Sequence, residues 1–201
     1  MSIIKNLLTN KINKYHDIKI KKNIWDKSDW KNIAELENDY VGKIGEEFVQ
    51  SLCEKCKIKS EINGNKTKET GGGKGDGTIK DKTVEIKTAR QGSGKSKNFQ
   101  HELGEKPWAS DYLIFVDISP SKFFISILPN FSESHYKSGN KCEPYFPTRS
   151  VCWRKKMGCF KLDTSLKINK DQSDKEDSNT IAYDVNLDIE DLKKFIERII
   201  I

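Results

Sequence analysis

The chain breaks into short stretches of clear hydrophobic period joined by polar connections. From about Ile33 to Lys57 apolar residues recur at helical spacing, with Val41, Ile44, Phe48 and Leu52 on one face, which predicts an amphipathic helix. The five glycines of "INGNKTKETGGGKG" (Ile62 to Gly75) predict a loop. "GTIKDKTVEIKTA" then alternates apolar and charged residues around Lys80-Asp81-Lys82, the pattern of two short strands and a turn. "DYLIFVDI" (Asp111 to Ile118) is nearly continuous in apolar residues, as in a strand buried on both faces. "KFFISIL" follows after Ser-Pro-Ser and pairs with it as a hairpin.

Beyond that the pattern weakens. Residues 129 to 159 read mostly as loop, "FKLDTSLKI" as a strand and "NKDQSDKEDSNT" as a solvated loop. The closing "DIEDLKKFIERIII" is a helix with Ile189, Leu192, Phe195, Ile196 and Ile199 on one face and Asp188 as its cap. The order helix, hairpin, buried strands, helix predicts a mixed sheet with helices packed on it, an α/β fold. The first 33 residues are Lys-rich with spaced Ile, Leu and Trp and read as one or two helices.

Length and composition narrow the partners. The 201 residues suffice for one domain with a real core. No stretch approaches the roughly 18 apolar residues of a membrane span, and the N-terminus lacks the apolar region of a secretion signal. The expected location is the cytoplasm, without membrane association. The five cysteines therefore read as reduced thiols. Cys53 and Cys56 form a C-x-x-C inside a helical pattern, and the later spacings to Cys142, Cys152 and Cys159 are too loose to make zinc the first reading. The net charge of +6 is uneven. Lys55 to Lys106 carries 13 Lys/Arg against 7 Asp/Glu, whereas Lys161 to Ile201 carries 7 against 10. A basic middle suits a polyanion such as nucleic acid.

Two kinds of chemistry compete in "GDGTIKDKTVEIKTARQGSGKS" (Gly75 to Ser96). Its end fits the loose form of a nucleotide-binding P-loop, with "LIFVD" up to Asp117 as the magnesium-binding strand. That reading needs an apolar strand before the loop and a helix after it. The strand here is Val84-Glu85-Ile86-Lys87-Thr88, and "KNFQHELGEKP" is broken by Gly104 and Pro107. The first half offers a different constellation. Residues two apart in a strand share a face, so Glu85 and Lys87 project together. A hairpin folded near Asp81 returns Asp76 beside Glu85. Two close carboxylates repel, and a hard divalent cation relieves that repulsion. The glycines flanking Asp76 leave room for a substrate backbone. On spacing alone, a turn Asp76 and a solvated Glu85–Lys87 face account for the pattern equally well.

"GDG…VEIKTA" resembles the PD-(D/E)xK nuclease signature, with Asp76, Glu85 and Lys87 at the motif positions and Gly75 where the variable proline stands. "GKIGEEFV" resembles the preceding helix of that superfamily, which implies Glu46, with Glu47 as the alternative, as the acid completing the metal site. "YLIFVDI" falls where the next core strand is expected, making Asp117 a strand-end residue. The resemblance covers about residues 40 to 128. It implies a restriction-endonuclease-like core with a mixed central β-sheet flanked by helices. The chain then reads as a single nuclease domain over 1–201, with its core at about 33–128 and peripheral elements in 129–201.

The implied activity is Mg2+-dependent hydrolysis of double-stranded DNA, with Mn2+ able to substitute. It is most like a type II restriction endonuclease, by analogy a homodimer. A structure-selective nuclease such as a Holliday junction resolvase and a non-enzymatic DNA-binding protein stay open. Candidate DNA contacts are Arg90, Lys95, Lys97, Gln100, Arg149 and Arg154. Only four arginines are present, and Arg198 lies in the acidic last helix. His101 in "NFQHEL" reads as a surface residue beside the groove.

Overall fold

The computed structural model describes residues 23–63, 75–93, 98–104, 109–129, 150–154, 159–183 and 188–201, the side chains of 150–159 excepted. A 3-10 helix, Lys31–Glu35, precedes α1, Asn38–Lys55. Strands β1 (Ser60–Ile62), β2 (Gly77–Ile79), β3 (Lys82–Arg90), β4 (Asn98–Gly104), β5 (Tyr112–Ile118), β6 (Phe123–Pro129), β7 (Ser150–Arg154) and β8 (Cys159–Ser165) follow. Then come α2 (Leu166–Ser173), β9 (Thr180–Tyr183) and α3 (Ile189–Ile199). No helix among the described residues is long and apolar enough to cross a membrane.

The central sheet is mixed, with six strands in the order β1-β2-β3-β5-β6-β9, and β4-β8-β7 form a second sheet of three. β1, β2 and β3 are antiparallel neighbours. β3 runs parallel to β5, and β5 antiparallel to β6. Every residue of β5 is buried, as expected of a strand covered on both faces. One face, with Tyr112, Ile114, Val116 and Ile118, joins Val84 and Ile86 of β3 in a core covered by residues of α1 and α3. The other face carries Phe115 and Asp117, which meet His101 of the second sheet.

The β2–β3 hairpin closes through Lys80 and Asp81, both at positive φ (51° and 65°), in the two-residue turn whose twist suits a hairpin. Lys59 Nζ meets Asp81 at 2.6 Å, and Lys80 Nζ donates to the Ile200 carbonyl at 2.7 Å. The turn is thus tied to the chain's far end.

α1 packs largely as expected, with Val41 buried and Phe48 and Leu52 partly buried against the core; Ile44 is the exception. The buried line of the helix is Val41, Gly45, Val49 and Cys53, while Ile44 is exposed. A Cβ on Gly45 would stand 1.6 Å from Thr88 Oγ1, so only glycine permits this approach of helix to strand. Cys53 and Cys56 are buried free thiols in this interface, and burial pushes the Cys53 thiol up to about 11. They behave as small hydrophobes. Cys142 and the side chains of Cys152 and Cys159 lie outside the described residues.

Three readings of the second half change. "SVCWR" is strand β7, within what was read as loop. The strand in "FKLDTSLKI" stops at Ser165, whose Oγ accepts from Ile168 N at 3.2 Å and caps α2. The first five residues of the "solvated loop" after it belong to that helix, with Asn169 and Gln172 buried, while 174–179 remain outside regular structure. Nor is 129–201 merely peripheral: β9 extends the central sheet, and Leu192, Phe195, Ile196 and Ile199 of α3 lie in the main core. In the N-terminal segment, 23–30 forms turns instead of helix. It is pinned by Trp25 Nε1 to the Gln91 carbonyl at 3.3 Å and Trp30 Nε1 to the Ser119 carbonyl at 2.7 Å.

Candidate active site on the hairpin

Antiparallel pairing sets the position of Asp76. Gly77 lies opposite Val84, and Asp76 N donates to the Val84 carbonyl at 2.7 Å. The Asp76 carboxylate is then held by Ile86 N–H on Oδ2, also at 2.7 Å. β3 alternates as its sequence requires, Val84 and Ile86 buried and Glu85 and Lys87 partly exposed. Lys87 Nζ forms an ion pair with Glu85. Asp76, Glu85 and Lys87 therefore do meet at one end of the hairpin.

The flanking glycines serve the protein itself, not a substrate. Gly75 has φ of +80°, and a Cβ there would lie 2.2 Å from the Val84 carbonyl oxygen and 2.5 Å from Ser110 Oγ. A Cβ on Gly77 would meet the Glu61 carbonyl oxygen at 2.2 Å. Both spaces are filled by neighbouring backbone, which is what allows three strands to converge at Asp76.

The Gly45–Thr88 contact brings the next helical residue, Glu46, to the same region. Glu46 is half-buried and Glu47 exposed, which favours Glu46 of the two. Burial raises the Glu46 carboxyl above its ordinary range; nearby Lys87 opposes this and Glu85 adds to it. Asp76 is pushed up to about 6, first by burial and next by Glu85, with the Ile86 N–H and Lys87 pulling the other way and Glu46 adding a smaller push. Asp76 and Glu46 thus both feel Glu85 and Lys87, with Lys43 a further cation beside Glu46.

Among the described residues no three His, Cys, Asp or Glu side chains are drawn into a metal-binding group. The donor chemistry nevertheless fits a hard divalent ion. All the acids are oxygen donors, and those at Asp76 and Glu46 are disfavoured as anions by burial and by Glu85.

An open groove of about 770 Å³ borders this site, with Glu46 and Lys43 of α1, Lys87 of β3, Gln100 of β4 and Lys161 of β8 in its walls. Of the expected DNA contacts, Gln100 lies on this groove, exposed, its Oε1 accepting from Lys161 Nζ at 3.1 Å. Arg90 also borders it, but its Nη1 donates to the carbonyls of Ile33 (2.5 Å) and Leu36. Its guanidinium is committed to fastening the 3-10 helix, so it is no free reader of bases. Lys95, Lys97 and Arg149 lie outside the described residues, as does the side chain of Arg154.

His101 is not at the surface. Its side chain is fully buried, and Nε2 lies 2.6 Å from Asp117 Oδ1. Asn169 Nδ2 donates to Asp117 Oδ2 at 2.6 Å, and Thr164 Oγ1 donates to Asn169 Oδ1 at 3.0 Å. The network ties β4, β8 and α2 to β5. One sequence signal pointed to it: an acid in a strand buried on both faces must have buried partners. With Asp117 so engaged, and with strand β4 in place of a helix after Gly92-Ser93, the geometry of a P-loop is missing from the described residues.

No protein-family model, no curated protein and no solved structure matches the chain.

Proposed function

We propose that the protein is a divalent-metal-dependent nuclease that hydrolyses phosphodiester bonds of DNA, with a restriction-endonuclease-like core. The observation that carries the reading is the destabilised Asp76 carboxyl, clamped by Ile86 N–H beside the Glu85–Lys87 pair. A buried acid held against a second acid costs stability, and its hydrogen bond to Ile86 N–H needs no charge; a cation and an anionic substrate give the charge a use. The order α1, antiparallel β1-β2-β3, then β5 parallel to β3 supports the same resemblance that the motif suggested.

In this reading Asp76 and Glu85 hold Mg2+, with Glu46 as the third acid. The ion, when bound, supplies charge stabilisation and a more acidic water. Asp76 is oriented in advance by its backbone hydrogen bond, so no rotamer needs to be found during turnover. Lys87 is paired with Glu85; were Glu85 to hold the ion, that ammonium would be free to face the scissile phosphate, where negative charge builds. The groove beside it gives the strand a path to these groups. Double-stranded DNA, site-specific cutting of the type II kind, and a homodimer placing one site on each strand are the finer parts of the proposal.

Plasmid DNA incubated with the protein and Mg2+ tests it. Cleavage is expected, lost with EDTA and lost in Asp76→Ala and Glu85→Ala. Lys87→Ala should slow it by about a hundredfold or more. Discrete fragments support site-specific cutting; cleavage confined to branched DNA supports a resolvase. Wild-type cleavage by Asp76→Ala removes the reading.

A further inference from the structure

We propose that the groove between α1 and the second sheet binds the sugar–phosphate backbone of one nucleic-acid strand, gripped from its two walls by Lys43 and Lys161. The choice of ligand rests on the nuclease reading above; the location does not.

The groove's cations differ in what they already do. Arg90 is fastened to backbone carbonyls and Lys87 is paired with Glu85. Lys43 and Lys161 form no close ion pair among the described residues, although Lys43 is near enough to Glu46 to favour its anion. Lys43 lies 5.9 Å from the ring of exposed Tyr40, and Lys161 hydrogen-bonds the neutral Gln100. They stand on separate elements, α1 and β8, that meet at this groove. Two mobile ammonium groups facing one channel suit successive phosphates along a strand.

The volume sets the scale of the occupant. About 770 Å³ is the size of a small-ligand site, enough for a short run of one backbone and too little for a whole duplex. A second observation also points to an occupant. His101 contributes to the wall of the groove, is 2% exposed, and its Nδ1 has no hydrogen-bond partner. An unmet buried polar atom costs about 1–3 kcal/mol; with Nε2–H given to the Asp117 carboxylate, Nδ1 is left as an acceptor, and a water carried in with the strand would meet its need by donating. Opposing this, Asp39 and Glu102 also border the groove. Net charge therefore attracts little, and the two lysines must supply the grip locally.

The test uses the full chain, a fluorescein-labelled DNA duplex and EDTA, so that nothing is cut. Anisotropy titrations over a range of salt give the slope of log affinity against log salt. Lys43→Gln and Lys161→Gln should each weaken binding and flatten the slope by about 0.9, the loss of one phosphate contact. Lys194→Gln, on α3 and highly exposed, should leave the slope unchanged. Wild-type slopes in both groove variants overturn the proposal, as does an equal loss in Lys194→Gln or an absence of wild-type binding. Asp76→Ala separates the two readings. If it binds normally but does not cut, the nuclease site stands whatever the lysine variants show. If it cuts, that site falls while the groove result is still decided by the lysines.

Discussion

Asp76 concentrates the tension in this molecule. Its folded carboxyl titrates near 6 against an ordinary value of 3.8, chiefly through burial and then Glu85. The folded state therefore holds a proton that the unfolded chain has already lost. Stability from this group is full below about pH 3.8 and is lost as pH rises through about 6. The lost amount is on the order of 2–3 kcal/mol. Asp76→Asn keeps an oxygen for Ile86 N–H and removes the charge. In metal-free buffer it should raise the melting temperature at pH 8 and do little at pH 4. Adding Mg2+ at pH 8 should then stabilise wild type and not the variant, because only the native chain gains by binding. Thermal melts at the two pH values check both parts. An Asp76→Asn protein no more stable than wild type at pH 8 would mean that Asp76 is comfortable as a bare anion.

At the scale of elements, the sequence was legible where burial is apolar and opaque where it is polar. The hairpin, β5, β6 and α3 each announce themselves by hydrophobic period, and each is found at its expected place. With the hairpin come Asp76, Glu85 and Lys87, because strand alternation and a two-residue turn fix where their side chains go. α2 gave no such sign. Its buried positions are Asn169 and Gln172, and beyond Leu166 and Ile168 its sequence is polar. It is held by partners remote in sequence, above all Asp117, which no local window contains. α1 shows an intermediate case. The helix and most of its apolar face were legible, but the closeness of its approach is set by Gly45 against Thr88, a small residue that carries no hydrophobic signal. The polar clamp predicts a measurable cost. Asn169→Ala removes the 2.6 Å N–H donor from buried Asp117 and should destabilise by about 1–3 kcal/mol. Equilibrium urea unfolding measures this. A change within a few tenths of a kcal/mol would show that α2 is only laid on the surface.

For the whole molecule, the decisive feature is that the chain's last segment belongs to its core. One hydrophobic cluster runs from Trp25 through Val49, Ile86 and Ile125 to Leu192 and Ile200. α3 closes this cluster, and the Ile200 carbonyl receives Lys80 from the very hairpin that presents Asp76 and Glu85. Tyr112 Oη, at the start of β5, accepts from Ile201 N at 3.2 Å. An architecture with a self-sufficient nuclease core and an appended tail would unfold in separable steps. A shared core requires one step. Leu192 is fully buried, so Leu192→Ala should cost about 2–5 kcal/mol, the range for a large-to-small change in a packed core. The loss should register equally in far-ultraviolet circular dichroism, which follows all the helices and strands, and in tryptophan fluorescence. Trp25 and Trp30, two of the chain's four tryptophans, report from the segment bonded to the carbonyls of Gln91 and Ser119. Coincident urea transitions, both displaced to lower denaturant, are the expected result. If Leu192→Ala moves the dichroism and leaves the tryptophan transition in place, α3 and the segment around Trp25 and Trp30 do not share one cooperative core.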